Sequence, residues 1–446
     1  MTENDYDIVI IGSGYRAMIT AYLASKKNKK ILIISKSKNI SGIMDPIEWE
    51  GAKFDKGYQF LDGINKHQKN LINNFVGENF LYDFGYGAAS LTNNKLYAGH
   101  AIPYWPHQGN LFSLKLFIKY LFRYFIKSKK KEIDSFEDLI KLLPSEIKKI
   151  FSYECERRIG LKPNQLSHRI QDFPFFSFRQ TILPDKFSYF LKKNFNYFNE
   201  IIACKRSTLG LDCISLYPKG KYIGVFAEKM KRVLLEKGVE IKDSDGVKIE
   251  NQNNEKIQIN TKNGDCINAK KILIVTELDD AKNFFDEMAY LDSSIYYLPS
   301  ILYYFTTDKI NSGFQYVQGN TVDNLINRAN NMSLYGQKTS SGECVISAEV
   351  LDNKNSSLWN NPEKYVDKVW NEIKLMKLAS KDQNYSKFKI FPIKKTTPMQ
   401  LSNFDKNSEI LLKFLKTKFN NKVSFPGLGK RTSRAFFLDD VENFIN

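Results

Sequence analysis

The sequence predicts an α/β fold: a βαβ unit at the start of the chain, completed by later segments, with a mixed α+β domain interleaved between them. Three observations carry this prediction. Residues 6–11 form a short β-branched run ending at Gly12-Ser13-Gly14, a helix-like segment follows over 15–25, and 30–34 has the continuous apolar character of a buried parallel strand. A second block over 214–275 combines a turn at Tyr217-Pro218-Lys219-Gly220, an amphipathic helix over 225–238, and strand-like runs at 247–249, 257–260 and 271–275. No repeat or low-complexity linker separates the parts, which fits interleaved rather than sequential domains. The expected division assigns 1–95, 215–285 and 396–446 to the first domain, and 96–214 and 286–395 to the second.

Each element has a local reason. Strand, glycine turn, helix and strand close within about thirty-five residues, the compass of a βαβ crossover. Asn263-Gly264 is a hairpin turn, because both residue types tolerate positive φ. The segment 111–126 is apolar on nearly every side, yet Lys115, Lys119, Arg123 and Lys127 recur every four residues, and Lys129-Lys130-Lys131 follows. Such a helix suits two settings. It can lie on an anionic membrane apolar side down, a peripheral contact spanning 111–131, or sit inside the second domain with its basic edge in water. Helical patterning continues over 135–159. The stretch 298–392 reads as mixed, with a strand at 344–350 and a helix at 362–378.

Composition narrows the function. Hydrophobic residues make up 42% of the 446, enough for more than one core, so disorder is excluded as a class. The formal charge of +17 favours an anionic partner: a phosphate-bearing cofactor or small-molecule substrate, a nucleic acid, or an anionic membrane face. Widely scattered lysines also fit an unspecific basic surface. No helix-turn-helix, zinc module or aromatic single-strand platform accompanies the charge, so no specific nucleic-acid partner is expected. The five cysteines include no CxxC pair and the histidines number four, so no Cys/His metal centre is expected. Without a basic leader or a run of eighteen apolar residues, the expected compartment is the cytoplasm, at the inner face of a membrane if 111–131 docks there.

Gly12, Gly14 and Ala17 form GxGxxA at the strand-to-helix turn. The first Gly permits the tight turn, Gly14 lets the backbone approach a pyrophosphate, and Ala17 allows close helix packing. Amides at the helix start, from Ser13 through Tyr15 and Arg16, meet the phosphate charge. A dinucleotide site is therefore expected here. The acid that should close the second strand on the ribose hydroxyls is absent. Ser35-Lys36 stands there instead: a hydroxyl without a carboxylate's charge or reach, and an ammonium suited to a phosphate.

The run GSGYRAMITAYLASKKNKKILIISKSKNISG resembles the glycine loop, helix, second strand and trailing glycine pair of a flavoprotein superfamily. That superfamily contains amine oxidases, protoporphyrinogen oxidase, phytoene desaturases and UDP-galactopyranose mutase. Ser35 stands where the family usually has Glu, Ser41-Gly42 where it has Gly-Gly, and Ile43 where a basic residue is common. GAKFDKGYQFL, 51–61, resembles the segment carrying a phenylalanine, an acid and a glycine near the flavin. RRIGLKPNQLS, 157–167, is similar to a substrate-domain segment, and Val247 matches the position whose backbone meets adenine. NRANNMSLYG with ISAEV resembles members related to sugar-nucleotide enzymes. VSFPGLGKRTSRAFFLDDVENFIN looks like the C-terminal strand, glycine turn and helix over the flavin, with Asp439 and Asp440 in its acidic segment. The resemblance implies a Rossmann-like FAD-binding domain with an interleaved substrate domain. FAD would be held by Gly12, Ser13, Gly14, Tyr15, Arg16, Ala17, Ser35, Lys36, Gly42 and Val247, and at its flavin end by Gly427, Gly429, Asp440 and Val441.

Arginine grips a diphosphate bidentately, whereas lysine supplies a less directional charge. The leading candidates for an anionic substrate are Arg328, Arg431 and Arg434, with Arg169, Arg179, Lys394 and Lys395 behind them. Tyr303, Tyr304 and Tyr335 suit a sugar or aromatic cavity, and suit a core equally well. His107 is a candidate acid or base whose plainer reading is structural. No side chain is singled out for catalysis, because in such enzymes flavin N5 carries the chemistry. The expected activity is hydride transfer between FAD and an anionic organic substrate, a nucleotide sugar or polysaccharide precursor. The alternatives are a reduced-flavin sugar mutase, an amine or porphyrin oxidase-like enzyme, and a flavin-binding protein without catalysis.

Overall fold

The computed structural model describes residues 5–83, 87–127, 133–205, 214–251, 256–310, 312–353, 355–426, 428, 441 and 445. Asp5–Ile11 is buried along nearly its whole length, which its β-branched side chains make favourable between two covered faces. It pairs in parallel with Ile31–Ser35 on one side, Ile10 beside Ile33, and with Cys266–Ile274 on the other, Ile10 beside Leu273. Between the first two strands runs helix Gly14–Ser25, whose Ala17, Ala21 and Ala24 are fully buried and let it lie close against its neighbours. The full sheet runs Glu240–Asp243, Ile31–Ser35, Asp5–Ile11, Cys266–Ile274, Ile257–Thr261, Val247–Asn251, with Val423–Ser424 also pairing Cys266–Ile274. The hairpin turn stands as its Asn-Gly pair requires, with Gly264 at φ +90°.

A second sheet runs Lys387–Gln400, Ile295–Thr307, Cys344–Leu351, Ile326–Asn331, Tyr316–Gly319, Ala88–Thr92, Lys95–Ala98. Alternation along Ile295–Thr307 divides its side chains between two cores. Ile301, Tyr303 and Phe305 pack against Val369, Trp370 and Ile373 of helix Val366–Leu375. Leu302 and Tyr304 face the other way, toward Ile47 and Phe54 of the N-terminal segment. Helices Asn110–Lys127, Phe136–Ile140, Ser145–Arg158 and Asp185–Asn194 surround a third core rich in phenylalanine.

Pairing shifts two expected boundaries. Ala88–Thr92, assigned by sequence to the first domain, lies parallel to Tyr316–Gly319 in the second sheet. The strand Lys387–Gln400 continues past the expected boundary at 396, and helix Phe404–Phe419 then packs under the first sheet. The helix expected over 135–159 is two helices, since Pro144 lacks an N–H and caps the second. The helix expected over 362–378 begins with a 3-10 turn, Pro362–Tyr365, before Val366–Leu375.

Helix Ser145–Arg158 is moored by charge as well as packing. The fully buried Glu154 accepts from Arg158 Nε at 2.6 Å and from Arg157, while Arg157 also donates to the Asn324 carbonyl at 3.1 Å. Burial alone would raise the Glu154 carboxyl, but the two guanidiniums hold it below the usual range. Glu154→Ala strands the buried Arg158 charge and is expected to cost about 3–5 kcal/mol, read from urea unfolding. A loss below about 1 kcal/mol would show that Arg158 finds other partners.

Candidate cofactor and substrate site

The glycine turn is shaped for close backbone approach. Gly12 has φ +140°, and a Cβ there would fall 2.8 Å from Val275 Cγ2. Gly14, at φ +75°, faces Gly42, at φ +61°, whose own Cβ would lie 3.1 Å from Gly14 Cα. The Gly14 N–H donates to the Ile40 carbonyl at 2.7 Å, locking the two loops together. Helix Gly14–Ser25 has no acid in its first turn and Ser13 makes no side-chain cap, so the positive end of the helix is left to an anion. These residues fit a dinucleotide diphosphate.

From that turn a cleft of about 510 Å³ opens at the carboxyl ends of the parallel strands. Gly12, Ser35, Lys36 and Val247 line it together, as do Asp280 and Phe284. The Ser35 hydroxyl is turned back onto the Ser37 carbonyl, and the Ser35 carbonyl accepts the Ser244 N–H at 2.8 Å. Lys36 meets a carboxylate, Asp280 Oδ1 at 3.2 Å, where a phosphate contact was expected. The acid absent from the end of the second strand is thus present across the cleft. Just before it, Glu277 precedes the short helix Leu278–Ala281. Burial raises its carboxyl, with Asp280 and Asp279 adding to the effect and Arg16 opposing it.

The second cluster lies at the seam between the two sheets, around Asp55. One carboxyl oxygen accepts the Ile223 N–H at 2.7 Å; the other accepts the Tyr217 hydroxyl and Gln337 Nε2, the latter at 3.1 Å. The Asp55 N–H donates to Gln337 Oε1 at 3.1 Å, and the Tyr304 hydroxyl donates to the Asp55 carbonyl. Beside it Gly336, at φ +78°, crosses Gly220 so closely that a Cβ would lie 2.5 Å from the Gly220 Cα. Tyr217 and Tyr335 are pushed far above the usual phenol range by burial, with Asp55 adding to it, so both stay protonated donors.

Above this floor, Arg328 lies 4.7 Å from the Tyr58 ring and donates to Glu349 at 2.8 Å, while its buried Nε has no hydrogen-bond partner. Arg328, Tyr304 and Tyr335 therefore come together at the seam. Tyr303 does not. It points to the opposite face of its strand and donates to the Pro362 carbonyl at 2.9 Å, so alternation places it in a core and away from the cavity expected for it. His107 is held by the Tyr104 carbonyl and by Asn93, 2.6 Å from Nε2, and Arg169 pairs with Asp405 at 2.7 Å. Val441 is buried in the core that holds Tyr15 and Ala17. Gly427, Gly429, Arg431, Arg434, Asp439 and Asp440 lie outside the described residues. Among the described residues no cluster of His, Cys, Asp and Glu is placed to hold a metal ion. Sequence reasoning missed Tyr217, Gln337, Glu277 and Asp280, whose roles come from contacts distant in the chain. Tyr58 carried a signal, since it lies in the GAKFDKGYQFL segment.

The glycine turn, the parallel sheet and the cleft at its carboxyl edge define a Rossmann-like domain. Residues 10–75 match the family of NAD(P)-binding Rossmann-like domains. Over 110 residues the chain is 27% identical to a probable flavin-containing monoamine oxidase A of Dictyostelium discoideum, a match taking in 24% of this chain and 22% of that protein. The chain thus matches about a fifth of the length of that curated relative. Likeness of fold runs through the whole chain. A crystal structure of reduced UDP-galactopyranose mutase superposes with a TM-score of 0.71 at 12% identity, covering 98% of this chain and 93% of that one. Putrescine oxidase bound to putrescine gives 0.63 at 10% identity, covering 99% and 96%. At these identities what the chain shares with both structures is the fold.

Two measurements test this geometry. Asp55→Asn sets an amide donor against converging donors and is expected to cost about 1–3 kcal/mol in urea unfolding. Glu277 gives a pH signature. Its folded value lies above 4.5, so the folded state binds the extra proton, and stability falls as pH rises from 4.5 through that raised value. Glu277→Gln is expected to flatten this fall in the urea midpoint of the cofactor-free protein. An unchanged slope would assign the fall to other groups.

Proposed function

We propose that the chain is an FAD-dependent oxidoreductase acting on an anionic organic substrate of the nucleotide-sugar or phosphorylated-saccharide class. The observation that carries the reading is the pairing of two sites. One is a glycine cradle continuous with a cleft that Ser35, Lys36, Val247 and Asp280 line; the other is a half-buried arginine over Tyr58, in the segment following Asp55. The flavin named for the Dictyostelium relative supports FAD as the dinucleotide. When bound, FAD supplies hydride transfer at its N5.

The chain's own residues bind and orient. The loops at Gly12–Gly14 and Gly42 hold the diphosphate at the start of the first helix, and the Val247 side of the cleft holds the adenosine. Asp280 takes the ribose-binding role that Ser35, folded into its own turn, leaves open. Arg328 supplies the charge for a substrate anion, its unpartnered Nε and its place over an aromatic ring leaving it strongly directional. Tyr217 and Tyr335 are held protonated and serve as fixed donors rather than bases.

The purified protein is expected to carry one flavin per chain, seen in its absorption and bleached by anaerobic reduction. Failure to take up FAD while binding NAD would overturn the reading. With a turned-over substrate, Arg328→Ala is expected to raise KM by at least about tenfold with a smaller change in kcat, and Arg328→Lys to recover part of it. A product isomerised in ring form with no change in oxidation level would replace the oxidoreductase by a reduced-flavin sugar mutase.

A further inference from the structure

Helix Asn110–Lys127 has two apolar faces where a surface helix needs one. Leu116, Phe117 and Tyr120 are buried in the third core. On the other side Leu111, Ile118 and Phe122 stand 86%, 57% and 67% exposed, at spacings that line one face. Helix Asp185–Asn194, which borders the same core, also leaves apolar side chains in water, with Phe187 and Phe190 exposed one turn apart. The chain just after that helix reaches the first one through aromatic contacts: Phe117 lies 6.0 Å from Phe198, and Phe198 lies 6.0 Å from the exposed Phe195. Scattered single apolar residues need no explanation, but rows of exposed apolar side chains on two helices of one core mark a binding surface.

The charges around the patch choose its partner. Helix Asn110–Lys127 contains no acidic residue, and Asp185 is the one acid of the second helix. Asp185 turns inward, to His100 at 3.1 Å and the Lys205 N–H at 2.9 Å. Glu146 is taken up by Lys119. Lys115, Lys186 and Lys193 remain exposed among the apolar side chains, with Glu200 the nearest exposed acid on the chain that follows. A second copy docking through this face would set these lysines against their own equivalents. Lipid carrying negative headgroups over an apolar interior matches both features. Among the described residues no helix is long and apolar enough to cross a membrane, so contact would be with one face of the bilayer.

We infer that the face formed by helices Asn110–Lys127 and Asp185–Asn194 docks on an anionic membrane surface. The inference is independent of the bound cofactor and of the reaction. It is tested by flotation of the full chain with vesicles of phosphatidylcholine alone, or with about one-third phosphatidylserine. The chain is expected to float with the anionic vesicles and to be released as salt rises. Ile118→Glu with Phe122→Glu is expected to weaken binding by at least about tenfold. Phe187→Ser with Phe190→Ser repeats the test on the second helix, should the first pair disturb folding. Leu412→Glu, an exposed apolar position on helix Phe404–Phe419, is expected to leave flotation unchanged. Absence of flotation, or equal binding by both pairs of variants and the parent chain, overturns the inference. So does self-association in light scattering that these pairs abolish while vesicle binding is absent, which would assign the face to a second copy.

Discussion

One buried carboxyl joins the two halves of this molecule. Asp55 leaves a short N-terminal hairpin and receives Ile223 and Tyr217 from the first half and Gln337 from the second, while Tyr304 of the second sheet donates to its carbonyl. In a dry seam each hydrogen bond to this acceptor is stronger than it would be in water, and each becomes expensive to leave unmade. Beside the network Gly336 and Gly220 cross at backbone contact, an approach that a side chain on Gly336 would block. Arg328 lies over Tyr58, paired with Glu349 on the neighbouring strand.

The cleft at the carboxyl edge of the first sheet departs from the common pattern of such sheets. Parallel sheets of this kind commonly end their second strand on an acid that takes the ribose hydroxyls. Here that strand ends on Ser35, whose hydroxyl closes its own turn, and the carboxylate stands on the element after the fourth strand of the sheet order, anchored by Lys36. The ion pair is exposed, so it contributes little to folding. Its value is positional: it holds a negative charge at the mouth of the cleft in an otherwise basic protein.

What could be read from the sequence was what local spacing encodes. Gly12, Gly14 and Ala17 announced their turn because three small residues at fixed intervals between a strand and a helix answer one steric need. Two long strands of the second sheet were hidden for opposite reasons. Ile295–Thr307 is apolar on both faces, so it shows no alternation, while Lys387–Gln400 is an edge strand whose lysines protect it from pairing and obscure its pattern. Tyr303 and Tyr304 looked alike in sequence and differ by 180° in the sheet, one in a core and one in the seam. The chemistry of Gln337 and Asp280 was illegible, since nothing near either residue in the chain foretells Asp55 or Lys36.

The order of strands in the first sheet also constrains how the molecule is made. Asp5–Ile11 finds one neighbour, Ile31–Ser35, almost as soon as it is synthesised, but its other edge waits for Cys266–Ile274, which in turn receives Val423–Ser424 near the end of the chain. Such distant pairings close large loops before they are rewarded, which slows folding and leaves an apolar strand edge open meanwhile. The second sheet is laid down inside that interval. The second sheet is therefore complete while the first still waits for Val423–Ser424, and no single cut in the chain releases either of them whole.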